Sequence, residues 1–118
     1  MAELDVALAN LEGALNNPAG AGKTGADLTK FIIESRAKTI KNIADVVQAS
    51  AADPRLKANP ALAREFTDKL TSLRRAAAAI QAKYRADDIL NDLENYASMS
   101  RATAKGLTDF CRWARTSI

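Results

Sequence analysis

The chain has 118 residues, of which 25 are alanine, five are glycine and three are proline. Seventeen basic and 14 acidic side chains give a net charge of +3, and there is one cysteine and no histidine. These counts exclude a disulfide scaffold, a Cys/His zinc site and histidine-dependent nucleophilic catalysis. Abundant alanine with little glycine and proline predicts an all-α fold, and the length predicts a single domain over residues 1–118.

Leucines recur along one helical face near the N-terminus. Their spacing of four, three and four residues predicts a first helix near residues 3–16. The positions are Leu4, Leu8, Leu11 and Leu15. Pro18 and the glycines that follow it predict a loop up to Gly25.

A second helix is predicted near residues 25–52. Thr24 with Asp27 three residues later has the pattern of a capping box at its start. Asp53-Pro54 predicts its end, because the residue before a proline is pushed out of the α region. The apolar residues between follow helical spacing, and we expect them to face the core. The predicted stripe consists of Ile33, Ala37, Ile40, Ala44 and Val47, broadened by Leu28, Ile32 and Ile43.

A third helix is predicted near residues 60–86. Asn59 is a favourable N-cap residue, and Pro60 is favourable at the first helical position. Apolar residues then recur in steps of four and three, which predicts a regular core-facing seam. The seam consists of Phe66, Leu70, Leu73, Ala77, Ile80 and Tyr84.

The apolar pattern changes phase after this seam, because Asp87 and Asp88 occupy the next core-facing positions. It restarts immediately afterwards and predicts a fourth helix near residues 88–116. Either a turn with Asp87 as the new N-cap separates the two helices, or one long continuous helix presents two faces to different partners. No glycine or proline marks a turn, but a turn lets one domain bury both stripes, so we favour a small bundle of about four helices. The restarted stripe contains Ile89 or Leu90, then Leu93, Tyr96, Ala97, Thr103, Leu107, Phe110 and Ala114.

No cofactor, metal or catalytic site is predicted from the remaining motifs. The segment Gly22-Lys23-Thr24 matches the end of a phosphate-binding P-loop. However, Asn17 stands where that loop requires its first glycine, and a helix precedes it where a buried strand is required. A local group of carboxylates is expected near a helix N-terminus, where negative charge is favourable, with incidental Ca²⁺ or Mg²⁺ binding as the alternative. These carboxylates are Asp87, Asp88, Asp92 and Glu94.

The last predicted helix carries the clearest electrostatic feature of the chain. Four basic side chains share one face and a tryptophan flanks it, which fits a solvated face, a surface for an acidic protein partner or neighbouring subunit, or contact with nucleic-acid phosphates. The candidate partner-binding residues are Arg101, Lys105, Arg112, Trp113 and Arg115. Cys111, in the apolar seam, is expected to be buried and inert, with a reactive thiol as the alternative.

The sequence predicts a non-enzymatic helical protein whose role is protein–protein interaction. Heptad-like seams and alanine-rich faces predict a self-associating or partner-binding subunit of a larger assembly, of the virion, secretion or filament type. A small basic nucleic-acid-binding accessory protein that uses the C-terminal helix is the alternative. No apolar run is long enough to span a membrane, and the acidic N-terminus is unlike a signal peptide. The expected location is therefore the cytoplasm or the interior of a virion or secretion assembly.

Overall fold

The computed structural model describes residues 2–118, and every regular element within them is helical. The predicted all-α bundle is confirmed. The described part of the chain forms five α-helices and one short 3₁₀ turn, and it measures 48 × 24 × 19 Å along its principal axes. The helices are α1 (Glu3–Ala14), α2 (Gly25–Ala52), α3 (Pro54–Lys57), α4 (Pro60–Lys83) and α5 (Leu93–Ser117), and the 3₁₀ turn is Leu90–Asp92.

Side-chain caps determine where two of the helices begin. The Asp53 carboxylate accepts a hydrogen bond of 2.9 Å from the backbone N–H of Arg55 and starts α3, an additional helical turn between the predicted second and third helices. The Asn59 side chain accepts one of 3.2 Å from the N–H of Leu62, which confirms the predicted start of α4. No side chain caps α2, so the capping box predicted at Thr24 is wrong.

The chain reverses between α4 and α5, which confirms the predicted turn and rules out one continuous helix. Residues 84–92 form this turn, and the two helices then lie against each other. Polar side chains stabilise this turn in place of glycine or proline. The carboxylate of Asp88, for example, accepts a hydrogen bond of 3.2 Å from the backbone N–H of Arg85. The helix boundaries predicted at 86 and 88 are wrong by three to five residues, and Asp92 rather than Asp87 occupies the N-cap position of α5.

The main hydrophobic core forms around α1, which lies between α2 and α5 and contacts both. The leucine stripe of α1 is buried as predicted. Phe66 of α4 and Phe110 of α5 complete this core, with their rings edge-to-face and centroids 5.0 Å apart. The first helix therefore joins helices from the two halves of the chain.

A second, smaller core lies around the α4–α5 turn. The rings of Tyr84 and Tyr96 meet edge-to-face there, with centroids 5.3 Å apart. Four aliphatic side chains surround them: Leu28, Ile32, Ile80 and Ile89. Both ends of the turn are thus anchored by buried aromatic residues.

The orientation of α2 differs from the prediction. Its buried residues are Leu28, Ile32, Ile43, Val46 and Ala49. The predicted burial of Leu28, Ile32 and Ile43 is confirmed, and Val47 packs partly buried against the main core. The rest of the predicted central stripe is wrong, because Ile33 is 39% exposed, Ile40 is 49% exposed, and Ala37 and Ala44 are exposed as well. Since α1 covers only one side of α2 and α4 scarcely touches it, a second apolar line remains at the surface.

Candidate functional site

The two C-terminal arginines of the predicted basic face are tied to α1. Arg112 donates from Nε to a carboxylate oxygen of Glu12 at 3.2 Å, and Arg115 forms an ion pair with the other oxygen. The Arg115 guanidinium beside it lowers the pKa of the Glu12 carboxyl below its ordinary value, and Arg112 acts in the same direction. These cations therefore link α5 to α1.

The other two cations lie further towards the start of α5. Lys105 forms an ion pair of 2.9 Å with Asp109 one turn away, and Arg101 is exposed with no ion-pair partner within residues 2–118. The structure thus brings the four predicted cations to one side of α5, but three of them already have a carboxylate neighbour. The predicted role of this face in partner binding stays a prediction.

Trp113 is partly buried against the main core. Its ring centroid lies 6.0 Å from that of Phe110 and 6.5 Å from that of Phe66, and the ammonium group of Lys69 lies 5.0 Å from it. Its indole therefore contributes to the contact between α4 and α5 while one edge remains accessible.

The apolar line left open on α2 is a surface that sequence analysis assigned to the core. We call it the α2 stripe and define it as Ile33, Ala37, Ile40 and Ala44. The exposed carboxylate of Glu34 and the ammonium group of Lys41 lie beside it. The Lys41 side chain is 78% exposed and forms an ion pair of 3.5 Å with Asp45 of the same helix. Contiguous exposed apolar residues with a polar rim are typical of interaction sites.

A cleft opens between α2, α4 and α5, where the two hydrophobic cores meet. Its volume is about 80 Å³. Aliphatic side chains from both cores line it, together with hydroxyl groups of serine and threonine. Arg36 is the only charged residue in its lining, so we call it the Arg36 cleft.

Arg36 is partly buried and has no carboxylate partner among the described residues. Its Nη1 donates to the backbone carbonyl of Tyr84 at 2.8 Å and its Nε donates to the hydroxyl of Tyr96 at 3.2 Å. The guanidinium carbon also lies 5.0 Å from the centre of the Tyr96 ring. Nη2 is buried and has no acceptor in the described part of the chain. Sequence analysis did not find this residue, because the groups around it lie 48 and 60 positions away along the chain.

The two motifs that suggested phosphate or metal chemistry have structural roles. The Asn17 side chain accepts from the N–H of Ala21 at 2.9 Å and shapes the loop between α1 and α2, and no strand is present in residues 2–118. The Asp92 carboxylate accepts from the hydroxyl of Tyr84 at 2.7 Å and from Asn95. No group of three or more potential ligands within the described residues is arranged to hold a metal ion.

The single cysteine lies in the main core. Cys111 is fully buried, and this burial raises the pKa of its thiol to about 11, with the negative charge of Glu12 adding to the effect. The thiolate is the reactive form, so burial and a raised pKa both disfavour reaction. The prediction of a buried cysteine is confirmed.

We expect Cys111 to react with a neutral disulfide reagent at pH 8 at least about a hundredfold more slowly in the folded protein than in urea, because both its access and its thiolate fraction are reduced. Absorbance of the released thiol measures both rates. A Ser98→Cys substitution in a Cys111→Ala background provides an exposed control on the same helix. Equal rates for Cys111 and this control would contradict the expectation.

Comparison with known proteins provides no family to which the chain can be assigned. No protein-family model, no curated protein and no solved structure matches this sequence or its fold. Among residues 2–118, none of the helices combines the length and the apolar character needed to cross a bilayer.

Proposed function

We propose that this protein is a non-enzymatic, self-associating subunit whose copies pair through the α2 stripe. The observation that carries the proposal is the exposure of four apolar residues at helical spacing on a 28-residue helix. Two copies that face each other along this line would remove these side chains from water, which is favourable in proportion to the apolar area covered.

The side-chain sizes along the stripe favour an antiparallel pair. Ile33 and Ile40 occupy d positions of a heptad, and Ala37 and Ala44 occupy a positions. In an antiparallel dimer Ile33 faces the partner's Ala44 and Ala37 faces the partner's Ile40. Each layer then combines one large and one small residue, which supports close interdigitation. A parallel pair in register would instead place isoleucine against isoleucine and alanine against alanine.

The charges beside the stripe favour the same orientation. Glu34 and Lys41 occupy the two e positions next to it, and e positions of antiparallel helices approach each other. A symmetric dimer therefore contains the attractive Glu34–Lys41 pair twice. A parallel dimer would place e positions next to g positions and would not form this pair.

The extent of the stripe indicates a weak contact. From Ile33 to Ala44 it runs about 17 Å at the usual helical rise. A standard stable interface buries about 800 Å² per partner, more than such a narrow line supplies. A groove lined by Ile40, Ala77 and Ala78 adjoins the stripe and extends the available surface. A dimer of this kind suits an assembly in which several weak contacts act together.

We expect the molar mass in solution to rise from 12.6 kDa towards twice that value with concentration. Light scattering or sedimentation between about 10 µM and 1 mM covers the range of a weak dimer. The Ile33→Asp substitution places a charge in the apolar layer and is expected to weaken dimerisation about tenfold or more. A monomer throughout this concentration range would contradict self-association.

A charge exchange tests the orientation. Glu34→Lys and Lys41→Glu are each expected to raise the dissociation constant about threefold to tenfold, because each single change places like charges opposite each other twice. The double variant Glu34→Lys/Lys41→Glu is expected to regain most of the wild-type affinity. Lys38→Glu, an exposed change on the other side of α2, is the control. A double variant that dimerises no better than the single variants would contradict the antiparallel arrangement.

Nucleic-acid binding through α5 remains the alternative function, and it has less support. A protein of this kind gains affinity by placing unpaired cations on phosphates. Three of the four cations on the face already have a carboxylate neighbour in the protein. Self-association through α2 is therefore the function that the geometry supports best.

A further inference from the structure

We propose that the Arg36 cleft binds a small organic carboxylate with a short apolar chain. This site lies beyond the proposed pairing of α2 and does not depend on it. Ile40 of the α2 stripe also lines the cleft, whereas Ile33 and Glu34, which would form the dimer contact, do not.

The guanidinium group of Arg36 lacks the carboxylate partners that several other arginines of the protein have. Arginine keeps its positive charge at every physiological pH, and its five N–H groups can only donate. Arg36 uses Nε and Nη1 on the oxygen atoms of two tyrosines, while Nη2 is buried without an acceptor within residues 2–118. No carboxylate lies within ion-pair distance of Arg36 in the described part of the chain, in contrast to Arg55, Arg112 and Arg115. A partly buried cation therefore has neither a counter-charge nor a full set of acceptors.

The composition of the cleft resembles that of a ligand site. Ligand sites in proteins are mostly apolar, with a few polar groups that fix the orientation of the ligand. Ile32, Ile43, Ile80 and Leu107 form apolar walls around the cleft. The side chains of Ser35, Thr39, Ser100 and Thr103 add hydroxyl groups on α2 and α5. A ligand with a charged head beside Arg36 and an apolar tail between the isoleucines would match these polar and apolar parts of the lining.

The volume of the cleft limits the ligand to a few non-hydrogen atoms. A cavity needs roughly 10–15 Å³ of this kind of volume for each water molecule. The cleft of about 80 Å³ therefore holds roughly five to eight non-hydrogen atoms. A carboxylate with a chain of three to five further carbon atoms fills that space. A planar carboxylate also matches the fork of a single guanidinium, whereas phosphate sites commonly combine several donors.

Binding involves a movement of the arginine. Nη2 is covered by protein. The proposal therefore requires the guanidinium to turn towards the cleft when a carboxylate arrives. Tyr96 contacts the guanidinium through both its hydroxyl group and its ring, so its environment changes with this movement. Its ring resonances in an NMR spectrum therefore report on binding.

The test is a titration of the folded protein with pentanoate and with pentanamide, followed by NMR and calorimetry. The two probes have the same size, and only the first is charged. We expect saturable pentanoate binding with a dissociation constant of about 1 mM or tighter, and binding of pentanamide that is about tenfold weaker or more. Equal affinity for the two probes, or no saturable binding of either, would overturn the proposal. Tighter binding of inorganic phosphate than of pentanoate would also overturn it.

Two variants assign the binding to this cleft. Arg36→Gln is expected to remove the preference for pentanoate, whereas Arg74→Gln, which changes a cation outside the lining of the cleft, is expected to keep it. Ala77→Leu fills the cleft from α4 and is expected to abolish binding of both probes, so it tests the site even if Arg36→Gln does not fold. Undiminished pentanoate binding by folded Arg36→Gln or by Ala77→Leu would overturn the assignment. Ile33→Asp, the dimerisation variant, is expected to bind pentanoate normally, so failure of one proposal is distinguishable from failure of the other.

Discussion

Replacing Phe66 with alanine is expected to lower the free energy of unfolding by about 3–5 kcal/mol. Phe66 is only 1% exposed and meets Phe110 edge-to-face at 5.0 Å. Its ring fills space at the contact between α4 and α5, next to the leucines of α1. Because several helices border that space, none can close the resulting cavity alone, and the loss includes both the transfer of the ring and the void.

Urea unfolding measures this loss. Trp113 is the single tryptophan, and its ring centroid lies 6.5 Å from that of Phe66, so its fluorescence reports on the same core. Far-UV circular dichroism follows the helices, and coincidence of the two signals tests for two-state unfolding. Thr67→Ala, an exposed change at the next position, is the control and is expected to cost less than about 0.5 kcal/mol. A loss below about 1 kcal/mol for Phe66→Ala would show that this core is not closely packed.

Replacing Asp53 with alanine is expected to lower the free energy of unfolding by about 2–3 kcal/mol at neutral pH. Asp53 is 4% exposed and is the one buried charged side chain within residues 2–118. Its carboxylate caps α3 and pairs with Arg55 at 2.8 Å, and the same guanidinium reaches Asp5 of α1 at 3.1 Å. The change removes a helix cap, worth about 1 kcal/mol, and a charge-assisted hydrogen bond, worth about 1.5–3 kcal/mol before allowance for the partly exposed Arg55.

The effect of Asp53→Ala is expected to depend on pH. The hydrogen bond from Arg55 holds the pKa of the Asp53 carboxyl below its ordinary value, and this effect exceeds the opposing effect of burial. A carboxyl whose pKa is lower in the folded state stabilises the fold at pH values above its unfolded pKa. That stabilisation decreases as the pH falls below about 4 and is lost once the pH has passed the folded pKa.

Urea unfolding at pH 7 and near pH 3 tests this dependence. The difference in the free energy of unfolding between wild type and Asp53→Ala is expected to be smaller at the lower pH. Asp53→Asn keeps a capping oxygen without the charge, and its free energy of unfolding at pH 7 is expected to lie between those of the wild type and Asp53→Ala. Asp68→Ala, which removes an exposed ion pair of 3.9 Å with Arg64, is expected to have a small effect at both values. A difference that does not change with pH would contradict the assigned role of the charge.

The sequence was sufficient to predict the buried face of a helix in those segments where the apolar periodicity is regular and has one interpretation. The leucines of α1 and the seam of α4 each occupy a single face, so their burial could be predicted, although Leu73 and Ala77 of the seam are only partly buried. The turn before α5 was predictable as well, because Asp87 and Asp88 interrupt the seam. Its detailed form was not, since it depends on hydrogen bonds such as that from Tyr84 to Asp92.

The orientation of α2 could not be predicted, because this helix is apolar over more than half of its circumference. Ile32 and Ile33 are neighbours in sequence, and both belong to lines with helical spacing. Which line is buried depends on the side of α2 against which α1 docks, a long-range contact. The Arg36 cleft was hidden for the same reason, since residues from three helices form it.

The position of α1 has a consequence for biosynthesis. Its leucines are covered partly by α5, and Glu12 of α1 meets Arg112 at a separation of 100 residues. At usual rates of translation, α1 leaves the ribosome about 5–20 s before that part of α5. During this interval its apolar face has only part of its final cover. The native arrangement therefore forms after α5 has emerged, and the nascent chain is a candidate substrate for chaperones that bind exposed leucine-rich segments.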